Sequence, residues 1–449
     1  MSKHKIAPLK GFPEWLPDQR MVEQRIIDRL RRTFELHGYA PIETRAVEPL
    51  EHLLAKGETD KEIYVLRRLH ATAEDEDKLG LHFDLTIPFA RYVAQNRGQL
   101  VFPMRRYQIQ KAWRGERPQE GRYREFYQAD ADVIAENELG LAYDAEMTVL
   151  LHEATAALPI PRVIVRVNNR KILEGFYRGV GIEKIGDALR IADKLDKIGP
   201  AQVKEQLVTT LGITAESADK CLELAKIRGS DKRVLGEVER LGVRHEILDQ
   251  GLGELGYLLD QVRHLPTGSV VADLHIARGL DYYTGIVYEG VMEGHESIGS
   301  VCSGGRYDDL AGAMGGVKLP GIGVSVGVSR ILGRLFGLGE LSASRLTPSC
   351  VLVALHNDET RDASIAVART LRARGVPCEV YDRGVKYGRQ IRYAEQKKIP
   401  YVWFPKAEGA ATQHEIRDIR TGAQTAVELE TWAPPAEELE ISVVPKQPS

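Results

Sequence analysis

Cysteine is scarce and scattered: Cys221, Cys302, Cys350 and Cys378 are the four in 449 residues, and no pair has the spacing of a zinc site or a small disulfide framework. They are expected to be reduced, structural thiols, and no protein-held metal site is expected. Long apolar runs are missing too, since none approaches the roughly 20 residues of a membrane-spanning helix. The opening Met1-Ser2-Lys3-His4-Lys5 has no apolar stretch of signal-peptide length, so the expectation is a cytoplasmic protein without a membrane partner. A large charge of one sign is also absent, because 61 Lys and Arg against 64 Asp and Glu leave a net charge of −3. That balance excludes coating nucleic acid by bulk charge, and no DNA partner is expected. It leaves local basic patches free to bind RNA.

What is present suits a globular enzyme, with 43% hydrophobic and 28% charged residues and enough length for two or three cores. Val22, Ile26, Leu30 and Phe34 recur every four residues, which predicts a helix capped by Asp18 and stopped at Gly38. Strand-like runs dominate from Leu81 to Ile134. Leu, Ile, Ala, Lys and Glu then recur at helical spacing over 168–263, a helical insertion that splits a β-rich body. Strands return at 269–272 and 285–291, followed by a glycine-rich run from Gly321 into a helix over 329–336. Residues 337–349 read as a linker. Beyond it, strand, helix, strand, helix and strand alternate over 351–404, the pattern of a small parallel sheet, with a hairpin turning at Thr421-Gly422 and a fraying Pro- and Glu-rich end.

Period-two geometry places Phe126, Gln128, Asp130 and Asp132 on one face of a strand over 124–133. The same arithmetic pairs Asp84 with Thr86 and Arg114 with Glu116. Three strands offering alternate polar groups would form the floor of a polar ligand site, although faces of this kind also fit simple contact with water. Two further runs concentrate polar side chains beside glycine: Arg278-Gly279-Leu280-Asp281-Tyr282-Tyr283-Thr284 and Ser303-Gly304-Gly305-Arg306-Tyr307-Asp308. Their arginines, aspartates and tyrosines suit a pocket for a small zwitterion. Adjacent Tyr282 and Tyr283 point to opposite faces if they lie on a strand. The glycines at 321, 323 and 327 lack the spacing and the context of a dinucleotide-binding loop.

These last two polar runs resemble the paired signatures of the histidyl-tRNA synthetase family, and the resemblance extends along nearly the whole chain. Trp113 to Gln119 with Gly121 to Phe126 resembles motif 2 of class II synthetases. Gly323 to Arg330 resembles motif 3, and Gly38 to Glu43 stands where motif 1 belongs. The resemblance implies an α+β fold: a class II antiparallel sheet core with a helical insertion, followed by a C-terminal α/β anticodon-binding domain. The implied divisions are 1–167 and 264–337 for the core, 168–263 for the insertion, 338–349 for a linker and 350–449 for the anticodon-binding domain. It further implies activation of histidine with ATP and Mg2+ to histidyl-adenylate, transfer to tRNA(His), and a homodimer.

Residue roles carried over by that resemblance are specific. Arg114 holds the α-phosphate, Arg122 and Arg330 the outer phosphates, Glu116 the adenine amino group, and Phe126 stacks on the ring. Arg278 bridges the substrate carboxylate and the α-phosphate, so that Arg278 and Arg114 carry catalysis. Asp132 and Tyr283 hold the imidazole, Asp84, Thr86 and Gln128 hold the α-ammonium, and Tyr282 and Tyr307 line the pocket. Such cations are what the chemistry requires, because every reacting group is negative and the arginine fork pairs with carboxylate and phosphate. A pocket that hydrogen-bonds the ring rejects apolar side chains, leaving editing unnecessary.

Arg117 and Gln119 are expected to face the tRNA acceptor end. Arg383, Lys386, Arg389 and Arg392, interleaved with aromatics, are expected to meet anticodon phosphates and bases, although taken alone they also fit a solvated helix face. The chain departs from the family's pattern at Arg45, where proline is usual, at Ser329, where an acid often stands, and at Asp84 and Asp132, where glutamate is common. The alternative is the non-catalytic paralogue that serves as the regulatory subunit of ATP phosphoribosyltransferase. That paralogue typically lacks the C-terminal module and the arginine matched here by Arg278.

Overall fold

The computed structural model describes residues 6–54, 62–70, 78–277, 283–308, 318–406 and 413–445. The chain divides into one unit of residues 1–13 and 26–334 and another of residues 14–25 and 335–449. Among the described residues no helix is long and apolar enough to cross a membrane.

Alternating side chains build the first unit around strands β1 (Ala40–Pro41), β2 (Val47–Pro49), β3 (Val65–Leu66), β4 (Leu79–Leu81), β5 (Met104–Trp113), β6 (Glu125–Ile134), β7 (Val163–Asn169), β8 (Arg228–Gly229), β9 (Val270–Asp273), β10 (Ile286–Met292), β11 (Cys302–Tyr307) and β12 (Gly321–Val326). Nine of them form one sheet in the order β1-β5-β6-β12-β11-β10-β7-β9-β8. Pairing is parallel between β1 and β5 and between β7 and β9, and antiparallel across the six central strands from β5 to β7. A smaller sheet of β2, β4 and β3 lies apart from it in the pairing order.

The helix Pro17–Leu36 buries Val22, Ile26, Leu30 and Phe34, so the four-residue apolar spacing reads true. Asp18 is not its cap: the helix already begins at Pro17, and Asp18 lies in the first turn, where its charge favours the positive helix end. Gly38, with φ +78°, follows the last turn. A second expectation is corrected between Leu81 and Ile134, where Thr86–Asn96 forms a helix that buries Ile87, Phe89, Ala90 and Val93. Asp84 therefore stands in the turn before that helix and Thr86 opens it. Likewise β5 ends at Trp113, so Arg114 and Glu116 occupy the connection to β6 and do not share a strand face.

Between β7 and β9 the chain is helical, with helices Arg170–Gly179, Ile185–Ala192, Leu195–Leu211, Ala215–Leu224, Arg233–Arg240 and Glu246–Gln261 around the two-residue β8. Buried Glu254 of the last helix accepts from Asn169 Nδ2 at 2.7 Å and pairs with Lys171, which ties this helical segment to the end of β7.

Arg306 corrects the picture of a second arginine in the zwitterion pocket. Its side chain is buried against Asp144, with Nε donating to Oδ1 at 3.1 Å, Nη1 to the carbonyl of Leu139 at 2.9 Å and Nη2 to that of Gly140 at 3.1 Å. Burial pushes the Asp144 carboxyl up, and the Arg306 guanidinium opposes that push.

The second unit contains β13 (Leu341–Ala343), β14 (Val351–Val353), β15 (Cys378–Val380), β16 (Tyr401–Phe404), β17 (Glu415–Asp418), β18 (Gln424–Ala426) and β19 (Val443–Pro445), with helices Arg361–Ala373 and Tyr387–Lys397. Its sheet runs β15-β14-β16-β17-β18, parallel through β15, β14 and β16 and antiparallel beyond. The stretch expected to be a linker instead holds β13, which pairs antiparallel with β19, so the Pro- and Glu-rich end is paired up to Pro445. Buried Arg345 fixes this junction by donating to the backbone carbonyls of Thr347, Pro348 and Glu438. All four cysteines are free and buried.

Removing Arg306 should strand Asp144 as an uncompensated buried carboxylate. Arg306→Met is expected to destabilise the first unit by about 3 kcal/mol, read by thermal or urea unfolding; unchanged unfolding would refute a stabilising role for the pair.

Candidate active site

Rows of side chains across the central strands form the site. The antiparallel registers set Arg106, Asp132, Gly323 and Gly305 in one row and Gln108, Asp130, Ser325 and Ser303 in the next. Glycine is required where the rows crowd: a Cβ on Gly323 would lie 1.9 Å from Asp132 Oδ1, and one on Gly305 would lie 2.9 Å from the carbonyl oxygen of Ile286. Bare backbone there leaves a hollow above the sheet.

That hollow has two connected parts. An inner pocket of about 90 Å³ is lined by Asp84, Thr86, Gln128, Asp130, Asp132 and Tyr307, among others. An outer cleft of about 370 Å³ is lined by residues that include Glu116, Arg122, Phe126 and Arg330. Arg114, Gln128 and Tyr283 border both.

In the inner pocket Asp132 is held firmly. Its Oδ2 lies 2.6 Å from Nη2 of fully buried Arg106, and its Oδ1 accepts from the Tyr307 hydroxyl at 3.0 Å. Burial and the neighbouring carboxylate drive the Tyr307 phenol well above its ordinary range, so it remains a donor. Asp84 Oδ1 accepts from the backbone N–H of Ile87 at 3.0 Å, which fixes the carboxylate while serving an open helix donor. Gln128 donates to Ser325 Oγ at 2.8 Å. Tyr283 precedes β10 and is not part of a strand, and its ring packs so closely on Gly305 that a Cβ there would lie 2.6 Å away.

Toward the outer cleft, Arg114 donates from Nε to the carbonyl of Phe83 at 3.0 Å, and its guanidinium lies 5.1 Å from the ring centroid of Phe126. Glu116 and Arg122 form an ion pair at 3.1 Å. Arg330, on the helix Val328–Leu338, donates to the carbonyl of Ile298. Three guanidinium groups thus border the cleft near an aromatic face, an arrangement able to bind a polyanion that carries a planar ring.

Other expected residues fall elsewhere. Arg117 and Gln119 are exposed in the turn between β5 and β6, outside the lining of both hollows. Arg383, Lys386, Arg389 and Arg392 are exposed in the second unit, around the start of the helix Tyr387–Lys397, and Arg383 pairs with Asp382 at 2.9 Å. Arg278 and Tyr282 lie outside the described residues. Sequence reasoning passed over Arg106, Ser303 and Ser325, and gave Asp130 no role. The alternation Arg106, Gln108, Gln110 on β5 was the available signal, matched to the polar face of β6 by their pairing.

The model of the family described as histidyl-tRNA synthetase matches residues 11–331, and that of the anticodon binding domain matches residues 349–434. A histidine–tRNA ligase of Micrococcus luteus is 51% identical, with 96% of this chain and 97% of the relative covered. The crystal structure of histidyl-tRNA synthetase from Nostoc sp. PCC 7120 superposes with a TM-score of 0.85 at 37% identity, covering 95% of this chain and 97% of that one. A Bacillus halodurans structure, described as an ATP phosphoribosyltransferase regulatory subunit/histidyl-tRNA synthetase, shares the fold with a TM-score of 0.70 at 23% identity, over 84% of this chain and 92% of its own. With its family match spanning most of the length and its relative at half identity, this chain belongs to the histidyl-tRNA synthetase family.

Proposed function

We propose that the two joined hollows are the histidine and ATP subsites of a histidine–tRNA ligase. The activity is that of the family: histidine and ATP give histidyl-adenylate and pyrophosphate, and a terminal ribose hydroxyl of tRNA(His) then takes the histidyl group as an ester. The observation that best supports the division is Arg114, which borders both hollows and so stands where a carboxylate and an α-phosphate must meet. The regulatory-subunit alternative is less supported, because its structural neighbour shares only the fold.

In this reading the histidine carboxylate attacks the α-phosphate and pyrophosphate leaves. Negative charge builds on the phosphoryl oxygens, and Arg114, together with Arg278, neutralises it there. Arg122 and Arg330 hold the outgoing phosphates, with Mg2+ arriving on ATP as part of the substrate. Glu116 accepts from the adenine amino group, and Phe126 stacks on the base. Asp132, fixed by Arg106 and Tyr307, accepts an imidazole N–H, Tyr283 is the second contact to the ring, and Tyr282 is a further histidine-binding residue. Asp84, Thr86 and Gln128 hold the α-ammonium. The reading extends to a homodimer in the cytoplasm. In the second unit, Arg383, Lys386, Arg389 and Arg392 contact the anticodon, while Arg117 and Gln119 meet the acceptor end.

Arg114→Ala and Arg278→Ala should each lower histidine-dependent pyrophosphate exchange about 10²-fold; exchange within a few-fold of wild type would remove that arginine from the reaction. Reversing charge at Arg389 and Arg392 together should raise KM for tRNA and leave exchange without tRNA unchanged. Equal losses in the two assays would argue against a tRNA-reading role for that helix.

A further inference from the structure

Asp130 lies between Gln128 and Asp132 on the pocket face of β6, 4% exposed, and borders the inner pocket. Its Oδ1 has no hydrogen-bond partner among the described residues, and neither has Oε1 of Gln128. Its neighbours in the lining are already engaged: Asp132 by Arg106 and Tyr307, Asp84 by the Ile87 amide, and Gln128 Nε2 by Ser325. Two buried acceptor oxygens without partners thus stand two residues apart on one strand, on side chains that both border the hollow. Each is costly unless a donor arrives. A ligand group that satisfies both carries several N–H donors and positive charge.

The charged and titratable surroundings of Asp130 come from every neighbouring element. Arg106 faces it from β5, Asp132 from β6 and Asp84 from the turn before the helix Thr86–Asn96, while Ser325 of β12 hydrogen-bonds its carboxyl. Arg114, Tyr283 and Tyr307 complete the pocket wall. Burial dominates, and Asp132 and Asp84 add to it against Arg106 and Ser325, so the carboxyl is pushed up to about 7.

We propose that Asp130 is a further substrate-positioning residue of the histidine subsite: its carboxylate, beside Gln128, receives the substrate's α-ammonium group. This role rests on the inner pocket being the amino-acid subsite. Below pH about 7 the neutral acid must lose a proton before it can pair with the ammonium, so histidine affinity rises with pH through that range and then levels. The linkage to folding has the opposite sign. The folded chain holds this proton more tightly than the unfolded chain, whose carboxyl titrates near the ordinary 3.8, so stability from this group falls as pH rises towards about 7. Asp130→Asn keeps the shape, removes the charge and should melt no lower than wild type at about pH 8.

The test is histidine-dependent pyrophosphate exchange on the full chain from about pH 6 to about pH 8, with KM for histidine and for ATP measured separately. Two inhibitors are compared: histidinol, which keeps the ammonium, and 3-(imidazol-4-yl)propionate, which lacks it. Asp130→Asn should raise KM for histidine about tenfold at the upper pH, leave KM for ATP unchanged, and flatten the part of the pH dependence that histidine's own titration does not explain. It should weaken histidinol and spare the propionate. Wild-type KM for histidine with an unaltered pH slope, or equal weakening of both inhibitors, would overturn the role. If Asp130→Asn does not fold, Ser325→Ala reads the same group: loss of its hydrogen bond should move the rise in affinity to higher pH, and an unmoved rise would count against Asp130. A wild-type protein without any histidine-dependent exchange would overturn the pocket assignment itself, and Asp130's part in it as a consequence.

Discussion

The buried pair between Arg106 and Asp132 is the constraint around which the first unit is arranged. Arg106 is fully enclosed, with its guanidinium 4.2 Å from the ring centroid of Phe89, and it meets Asp132 directly across the β5–β6 register. Two charges taken out of water are tolerable only with tight mutual geometry, and that demand fixes the carboxylate to within a hydrogen-bond length. Tyr307 adds a second donor from β11, and Gly323 of β12 withholds a side chain so that the carboxylate has room. Four strands are therefore committed to the placement of one acceptor. Such a fixed acceptor can discriminate between ring systems, because it cannot move to accommodate a ligand that lacks the matching N–H.

A second buried pair, Arg306 with Asp144, serves the scaffold. It joins β11 to the helix Ala142–Ala156, which also receives the Tyr288 hydroxyl on the carbonyl of Asp144 at 2.8 Å. The two arginines illustrate how similar charges divide their tasks. Arg106 positions a pocket group, whereas Arg306 closes the sheet against a helix and leaves the pocket to glycine, serine and tyrosine. On the outer side, arginines that remain partly exposed border the cleft, where they can meet an incoming polyanion without a prior cost of desolvation.

The legible parts of the sequence were those governed by periodicity. Val22, Ile26, Leu30 and Phe34 gave the long helix, the alternation at Phe126 to Asp132 gave the polar strand face, and the α/β alternation after residue 350 gave the second sheet. Short segments were misread where local pattern and tertiary setting compete. Thr86 to Asn96 looked like strand, yet a helix forms because Asp84 supplies its first turn with an acceptor and Phe89 and Val93 find a core. Residues 341–343 looked like a linker because their partner, residues 443–445, lies about a hundred positions away in the chain.

By itself the sequence determined the family, the α+β class, and the polar residue types gathered around the glycines, because motifs and residue periods are local properties. Tertiary structure decided which of those polar residues share a hollow. It brought Asp84, Gln128, Asp130, Asp132, Tyr283 and Tyr307 into one pocket, sent Arg306 to Asp144, and set Arg106 against Asp132. Strand register settled these placements, since a shift of one residue in any central strand would turn each side chain to the opposite face of the sheet.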